Sequence, residues 1–304
     1  MAKSLSAWQE AFLERHQLGA AYLGYAQKWF SPLADALAAH QTGAGKVVLI
    51  GINGSQGSGK TTLCDYLCAV LAARHDLAAV ALSLDDFYHT RAERQRLARK
   101  VHPLLATRGV PGTHDSGLLQ HTLDQLLIAG RHDPVAIPRF DKAQDERRPR
   151  SDWDAAGPEV CIVLLEGWCL GATAVPEQEL AIPVNALERE QDAEGCWRGY
   201  VNMALAREFE PLYQRIDRWV MLQAPSFDCV YQWRLEQERK LAADAPATAT
   251  NRVMDSAGIE HFIQYFQRLT QQCLAQLPAR VDYLYELDRD RAVVSARGLG
   301  EPRQ

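Results

Sequence analysis

The sequence predicts an α/β fold in which a mostly parallel sheet is covered by helices on both faces. Short, almost continuous apolar runs alternate with longer segments of helical periodicity, a pattern typical of strands that are buried on both sides. The first of these runs leads into a glycine-rich turn and then into a helical segment. The chain has 304 residues, 47% of them hydrophobic and 23% charged, which is enough to bury a large core.

The predicted elements begin with a helical N-terminal extension over residues 1–44. Trp8, Phe12, Tyr22 and Trp29 recur near helical spacing, and the Thr-Gly-Ala-Gly stretch that follows is typical of a linker. The main domain is expected over residues 45–304. Its predicted strands are residues 47–50, 79–84, 135–137, 160–165, 219–222, 281–287 and 293–296, and its clearest helices are 61–74 and 116–129. The polar stretch 144–157 is predicted as an exposed loop.

A phosphate-binding loop follows the first strand. Residues 54–61 read Gly-Ser-Gln-Gly-Ser-Gly-Lys-Thr, a full match to GxxxxGK[ST] between a strand and a helix. Glycines let the backbone N–H groups converge on an anion, and the helix N-terminus adds its positive dipole end. A glycine-rich turn without a ligand is the competing interpretation. The motif predicts a P-loop NTPase fold and an ATP site formed by Gly54, Ser55, Gln56, Gly57, Ser58, Gly59, Lys60, Thr61 and Thr62.

Acidic residues follow two further strands. Asp85 and Asp86 come after the second strand, and Glu166 ends the fourth. Because the carboxyl ends of parallel strands line the ligand crevice, Asp85 is predicted as the catalytic base that orients an acceptor hydroxyl. Thr61 and Glu166 are predicted to hold Mg²⁺, the second cofactor beside ATP. Both aspartates could instead cap the next helix, and Glu166 could be an acidic turn after a buried strand.

Five segments occur in one order along the chain: GINGSQGSGKTT, LSLDDFY, HPLLATRGVPGTHD, IPRFDKAQDERRP and LLEGW. Together they resemble the D-glycerate 3-kinase family, within the wider group of phosphoribulokinase, uridine kinase and pantothenate kinase. The resemblance runs from about residue 47 to the C-terminus. RGVPGTHD and the late segment HFIQYFQRLT are the parts closest to the glycerate kinase branch, whereas the phosphate loop and LLEG are shared by the whole group.

The resemblance implies roles for individual residues. Asp85 matches the base of the group, Glu166 its acid near magnesium, and Lys60 with Thr61 its phosphate-loop pair. It implies an acceptor pocket formed by Arg108, Thr113, His114, Asp115, Arg139 and Asp141, and a lid near 226–250 carrying Arg234, Arg239 and Lys240.

Chemistry supports some of these residue types, and alternatives stay open for others. Arginine suits the carboxylate of a small acid, which favours Arg108 and Arg139. A single histidine such as His114 is as often structural as functional. Arg234 and Glu238 are four residues apart, a spacing that also favours a surface ion pair.

The sequence therefore predicts an ATP-dependent kinase that transfers the γ-phosphoryl group to a hydroxyl of a small metabolite, with D-glycerate as the first choice. A kinase for a nucleoside or a pantothenate-like acceptor, or a P-loop ATPase switch, are the alternatives. A net charge of −5 argues against a nucleic-acid partner, and no apolar run is long enough for a membrane span. Seven scattered cysteines without a CxxC pair, and an N-terminus without an apolar signal region, predict reduced thiols in a cytoplasmic protein.

Overall fold

The computed structural model describes residues 5–128, 130–244 and 256–299. The strands within these ranges are β1 (Val48–Gly54), β2 (Ala78–Ser83), β3 (Val135–Ile137), β4 (Phe140–Asp141), β5 (Glu146–Arg147), β6 (Asp154–Ala156), β7 (Val160–Gly167), β8 (Arg218–Gln223), β9 (Tyr283–Leu287) and β10 (Val293–Arg297).

The α-helices of the same ranges surround these strands. They are α1 (Ala7–His16), α2 (Ala21–Trp29), α3 (Ser31–Ala44), α4 (Lys60–His75), α5 (Arg91–Lys100), α6 (Ser116–Leu126), α7 (Glu177–Leu180), α8 (Ala186–Gln191), α9 (Cys196–Ala204), α10 (Glu210–Tyr213), α11 (Phe227–Asp244) and α12 (Ser256–Gln276). No helix in the described part of the chain is both long and apolar enough to span a membrane.

The central sheet has six strands in the order β10-β9-β8-β1-β7-β2. Every neighbouring pair is parallel except β9 with β10, which is antiparallel. All seven residues of β1 are buried, and so are seven of the eight in β7, as expected for central strands covered on both faces. The prediction of a mostly parallel α/β sheet is confirmed.

The prediction that residues 135–137 belong to this sheet was wrong. They form β3, which pairs antiparallel with β6, while β4 pairs with β5 in a second small hairpin. Pro134 and Pro138 flank β3, and proline cannot supply the N–H that a central strand needs. The stretch 144–157, predicted as an exposed loop, supplies both β5 and β6. These hairpins lie beside the C-terminal end of β2, and residues of the candidate site come from them.

The helices α1 to α3 pack on the main fold through a cluster of aromatic rings. Tyr66 of α4 meets the rings of Trp8, Phe12 and Phe30 at centroid distances of 6.2, 5.7 and 6.2 Å. Phe30 also meets Tyr285 of β9 at 5.5 Å. The core of the N-terminal helices is thus continuous with the core of the sheet. All seven cysteines are free thiols in this structure.

Candidate active site

The phosphate loop connects β1 to α4 and requires glycine at several positions. Gly57 and Gly59 have φ angles of 78° and 91°, in the left-handed region where side chains are strained. A Cβ atom on Gly54 would lie 2.6 Å from the Ser58 hydroxyl oxygen. The backbone of the loop therefore turns tightly around the N-terminus of α4, where the first N–H groups of the helix have no partner within the helix and can bind an anion.

Several polar groups of this loop are buried without a hydrogen-bond partner among the described residues. The hydroxyl oxygens of Ser55 and Ser58 and the side-chain oxygen of Gln56 are all in this state. Lys60 donates through Nζ to the Ser55 carbonyl at 3.1 Å. Because buried hydroxyls are normally hydrogen-bonded, the two serines and the lysine fit a polyphosphate held in the loop. Thr62 is oriented differently, since its Oγ1 lies 3.3 Å from Nδ1 of His16 in the N-terminal helices.

An oxygen pair suited to a divalent cation lies at the start of α4. Thr61 donates through Oγ1 to Oε1 of Glu166 at 3.2 Å, and Lys60 Nζ is 3.9 Å from Oε2 of the same carboxylate. Glu166 is 6% exposed and is paired in register with Ile52 of β1 and Ser83 of β2. The described residues contain no cluster of three or more histidine, cysteine, aspartate or glutamate side chains that could hold a metal. Mg²⁺ needs no such cluster beside nucleotide phosphates, because it keeps most of its waters, so one hydroxyl and one carboxylate fit it.

Asp85 lies in a short 3₁₀ helix, Leu84–Phe87, directly after β2. Its Oδ1 accepts from the Tyr88 hydroxyl at 2.9 Å, and its Oδ2 accepts from Lys142 Nζ at 2.6 Å. Burial alone would raise the pKa of Asp85, but Lys142, Tyr88 and the charge of Lys60 outweigh it and hold that pKa well below its usual range. Asp85 is therefore an ionised carboxylate with both oxygens occupied.

Asp86 has a different environment from Asp85. Its Oδ2 accepts from Arg139 Nη1 at 2.7 Å and its Oδ1 from the Phe140 backbone N–H at 3.0 Å. Burial raises the pKa of this carboxyl in spite of both contacts. The cap of the following helix α5 is Thr90, so neither aspartate performs the capping role considered as the alternative.

The predicted pocket arginines are held by aspartates. Arg139 also donates through Nε to Asp154 at 2.7 Å. Arg108 forms an ion pair with Asp145 and lies over the Phe140 ring at 5.6 Å. Both predictions of a substrate contact remain untested, and in this structure each guanidinium already has a carboxylate partner.

The loop that contains RGVPGTHD is fixed by its own polar side chains. Thr113 is fully buried, accepts from the Gly109 N–H at 3.1 Å and donates to the Val110 carbonyl at 2.6 Å. His114 is 1% exposed and stacks on Tyr88 with a centroid distance of 4.5 Å, and burial lowers its pKa to about 3. Asp115 caps α6 by accepting from the Leu118 N–H at 2.9 Å. These contacts fix the conformation of the loop and the start of α6, and as substrate contacts the three residues stay predictions.

The remaining predicted residues have varied positions. Asp141 accepts from the backbone N–H groups of Ala143 and Gln144, and so it fixes the turn after β4. Arg234 of α11 lies over the Phe262 ring at 5.4 Å. The side chains of Arg239 and Lys240, and residues 245–250 of the predicted lid, lie outside the described residues.

Sequence reasoning missed four residues at this site. Lys142 contacts Asp85, and Arg94, 1% exposed, forms an ion pair with Asp145 at 2.9 Å. Arg147 donates to the Asp115 carboxylate at 3.0 Å and to the Tyr88 carbonyl at 2.9 Å. A signal for Lys142 and Arg147 was present, since both lie in the quoted segment IPRFDKAQDERRP. Arg94 gave no such signal, because it lies in α5 among several other charged residues that all look like the exposed face of a helix.

A cavity of about 220 Å³ lies elsewhere, between α8, α9 and α12. It is lined mainly by apolar side chains such as Val175, Val201 and Leu269, and no phosphate-loop residue borders it. The site described above is therefore defined by its charged groups and not by the size of a cavity.

Comparison with known proteins gives several similarities. An uncharacterized kinase of Schizosaccharomyces pombe, mug58, is 37% identical over 206 residues, which cover 66% of this chain and 73% of the relative. The chloroplastic D-glycerate 3-kinase of Arabidopsis thaliana is 31% identical over 211 residues, 66% of this chain but only 43% of that longer protein. The structure of a D-glycerate 3-kinase from Cryptococcus neoformans superposes with a TM-score of 0.72 over 92% of this chain and 99% of the other, at 23% identity. No family model matches the chain.

Proposed function

As a member of the D-glycerate 3-kinase-like family of P-loop kinases, the chain is an ATP-dependent phosphotransferase that uses a hydroxyl acceptor, and we propose that this acceptor is D-glycerate. One observation supports the assignment of the reacting groups above all others. The phosphate loop, Glu166 and Asp85 lie at the C-terminal ends of three adjacent parallel strands, β1, β7 and β2, on the same edge of the sheet. A bound γ-phosphate at the loop would therefore face the Asp85 carboxylate.

The nucleotide is held by groups at the start of α4. The hydroxyls of Ser55 and Ser58 have no hydrogen-bond partner in the described part of the chain, and they would donate to phosphate oxygens together with the backbone N–H groups of the loop. Lys60 would exchange the Ser55 carbonyl for the β- and γ-phosphates, where its charge offsets the charge that develops during transfer. Thr61 and Glu166 would hold Mg²⁺, which neutralises phosphate charge when it is bound.

Asp85 is the base of the proposed reaction. The acceptor hydroxyl donates to Asp85, its oxygen forms a bond to the γ-phosphorus, and the bond from that phosphorus to the leaving ADP oxygen breaks. The hydroxyl proton passes to the Asp85 carboxylate. Tyr88 holds Asp85 from the opposite oxygen and is itself fixed by the stacked ring of His114.

The charge around the acceptor position supports a small acid as substrate. Lys142 contacts Asp85 directly, whereas Arg94, Arg108, Arg139 and Arg147 in the neighbouring elements form ion pairs with other aspartates. An ammonium beside the proposed base suits a substrate with a carboxylate, whereas a nucleoside acceptor offers no negative charge. Arg234 of α11 is proposed to approach the phosphates from the lid.

The test is ADP release with Mg²⁺-ATP in the presence of D-glycerate, L-glycerate, uridine or pantothenate. Turnover with D-glycerate and not with uridine is the expected result. Turnover with another acceptor would keep the kinase chemistry and reject the substrate. Slow hydrolysis that no acceptor stimulates would favour the P-loop ATPase switch over a metabolite kinase.

A further inference from the structure

The ion pair between Lys142 and Asp85 occupies the place where an acceptor must bind. Asp85 has one oxygen on the Tyr88 hydroxyl and the other on Lys142 Nζ, 2.6 Å away. Each carboxylate oxygen can accept a second hydrogen bond, but the Lys142 ammonium lies against Oδ2, and an acceptor hydroxyl directed at that oxygen competes with it. The inference below rests on the proposed role of Asp85 as base.

Lys142 is the donor that can leave. Tyr88 is 3% exposed, stacks on His114 and contacts the edge of the Phe140 ring, so its hydroxyl is fixed in place. The Lys142 side chain is 59% exposed. Lys142 lies in the turn after β4, which is fixed by a hydrogen bond from the Ala143 N–H to the Asp141 carboxylate. A lysine on an exposed, flexible stem can move to a new partner at lower cost than a buried, stacked phenol.

A second anion is needed to draw Lys142 away from Asp85. The arginines around it are already matched: Arg94 and Arg108 to Asp145, Arg139 to Asp86 and Asp154, and Arg147 to Asp115. The neighbouring carboxylates are therefore engaged by other cations. An acceptor that brings its own carboxylate supplies the missing partner.

We propose that Lys142 is the specificity-determining residue of the acceptor site. Its ammonium binds the carboxylate of a hydroxy acid, and this movement releases Asp85 to receive the hydroxyl of the same molecule. Water and neutral alcohols carry no such anion and leave the Lys142–Asp85 pair closed. The pair then limits wasteful transfer of the γ-phosphoryl group to water. The acceptor class is a small hydroxy acid, and Lys142 both binds the carboxylate of this substrate and controls its access to Asp85.

The experiment compares Lys142→Met, Lys142→Arg and a matched surface control, Lys100→Met, which is exposed at the end of α5. Two rates are measured with Mg²⁺-ATP: kcat/KM for D-glycerate, and ADP release without an acceptor. In Lys142→Met we expect kcat/KM for D-glycerate to fall about 10- to 100-fold, mostly through KM, because a charged hydrogen bond to the substrate is lost. Acceptor-free ADP release is expected to rise severalfold, because Asp85 is no longer blocked.

The opposite signs of the two effects separate this role from a structural one. Damage to the site would lower both rates, and so would loss of a contact between Lys142 and the γ-phosphate, which would also raise KM for ATP. Either result, or no change in the ratio of the two rates, overturns the proposal. Lys142→Arg should recover most of the D-glycerate activity, and Lys100→Met should match the unmodified protein. Adding Asp85→Asn to Lys142→Met should abolish the rise in acceptor-free hydrolysis.

Failure of the proposed substrate would be seen separately. If the unmodified protein shows no turnover with D-glycerate but uses pantothenate, which also has a carboxylate and a hydroxyl, the substrate is wrong and the Lys142 test is repeated with that acid. If the unmodified protein prefers the neutral acceptor uridine, the role of Lys142 is refuted together with the acid class.

Discussion

Replacing Asp85 by Asn tests the assignment of the base. The amide is nearly the same size and can still accept from the Tyr88 hydroxyl, so the pocket keeps its shape. It cannot take a proton from the acceptor at neutral pH. A positioned general base contributes about 10²- to 10⁴-fold to a rate, and we expect kcat to fall by about that factor.

The cost to stability should be moderate. The lost ion pair joins Asp85, whose side chain is 27% exposed, to Lys142, whose side chain is 59% exposed. Because Lys142 and Tyr88 hold the pKa of Asp85 well below its usual range, the ionised carboxylate stabilises the folded state, and we expect Asp85→Asn to lower the free energy of unfolding by about 1–3 kcal/mol. A urea unfolding curve shows whether the variant remains folded under assay conditions. ATP binding should also stay within about threefold of the unmodified protein, because the phosphate-loop contacts do not include Asp85.

The assay follows ADP release with saturating D-glycerate and, separately, equilibrium binding of ATP. Asp124→Asn is the matched control, since Asp124 forms an exposed pair with Arg215 at 2.8 Å on α6. It should leave both measurements unchanged. Retention of more than about a tenth of kcat in Asp85→Asn, with ATP binding intact, would refute the role of Asp85 as base. Parallel loss of ATP binding and of kcat would place Asp85 in the nucleotide site instead.

Four further outcomes are expected. Burial lowers the pKa of His114 to about 3 from 6.5, so the unfolded chain binds this proton at a higher pH than the folded chain does. The free energy of unfolding should therefore drop by about 2 kcal/mol between pH 7.5 and 5.0 on account of this residue. Urea unfolding of His114→Gln should show a correspondingly smaller loss of stability over the same pH range. Gly112→Ala should lower the free energy of unfolding by about 1–3 kcal/mol, since φ is 87° and the new Cβ would lie 2.5 Å from the Tyr200 ring; an unchanged urea midpoint would contradict this. Phe30→Ala should cost about 3–5 kcal/mol by the same measurement if the N-terminal helices share the main core, and under 1 kcal/mol if they do not. Thr61→Ala should raise the Mg²⁺ concentration for half-maximal ADP release at least about tenfold, whereas Thr61→Ser should not.

The parts of the fold that could be predicted were those with a strong local pattern. The strand, glycine turn and helix at 47–74 follow from apolar runs, glycine positions and helical spacing, and the structure has β1 and α4 there. The error at β3 has a physical cause, because a run of three apolar residues has too little pattern to reveal its partner. That partner, β6, is a polar-looking Asp-Ala-Ala segment whose pairing depends on distant contacts.

The candidate site was predictable to the extent that its chemistry lies at strand ends. Asp85 and Glu166 could be picked out because parallel strands bring their ends together. The role of Arg94 and the partners of Lys142 and Asp145 could not be predicted, because ion pairs across 51 and 57 sequence positions depend on how two small pairs of strands fold beside β2. Pattern shows which residues are acidic or basic, but only the folded chain shows which of them pair.

A strongly acidic Asp85 is at first sight a poor base, since a general base works best with a pKa near the working pH. The structure contains the means to change that property. The depression of the pKa of Asp85 comes chiefly from Lys142, while burial acts in the opposite direction. If a substrate carboxylate draws Lys142 away, burial is opposed only by the Tyr88 hydrogen bond and the charge of Lys60, so the pKa of Asp85 rises from its depressed position. In phosphoryl transfer the base mainly orients the acceptor hydroxyl and accepts its proton late in the reaction. A carboxylate that becomes more basic only when the hydroxy-acid substrate is bound meets that requirement.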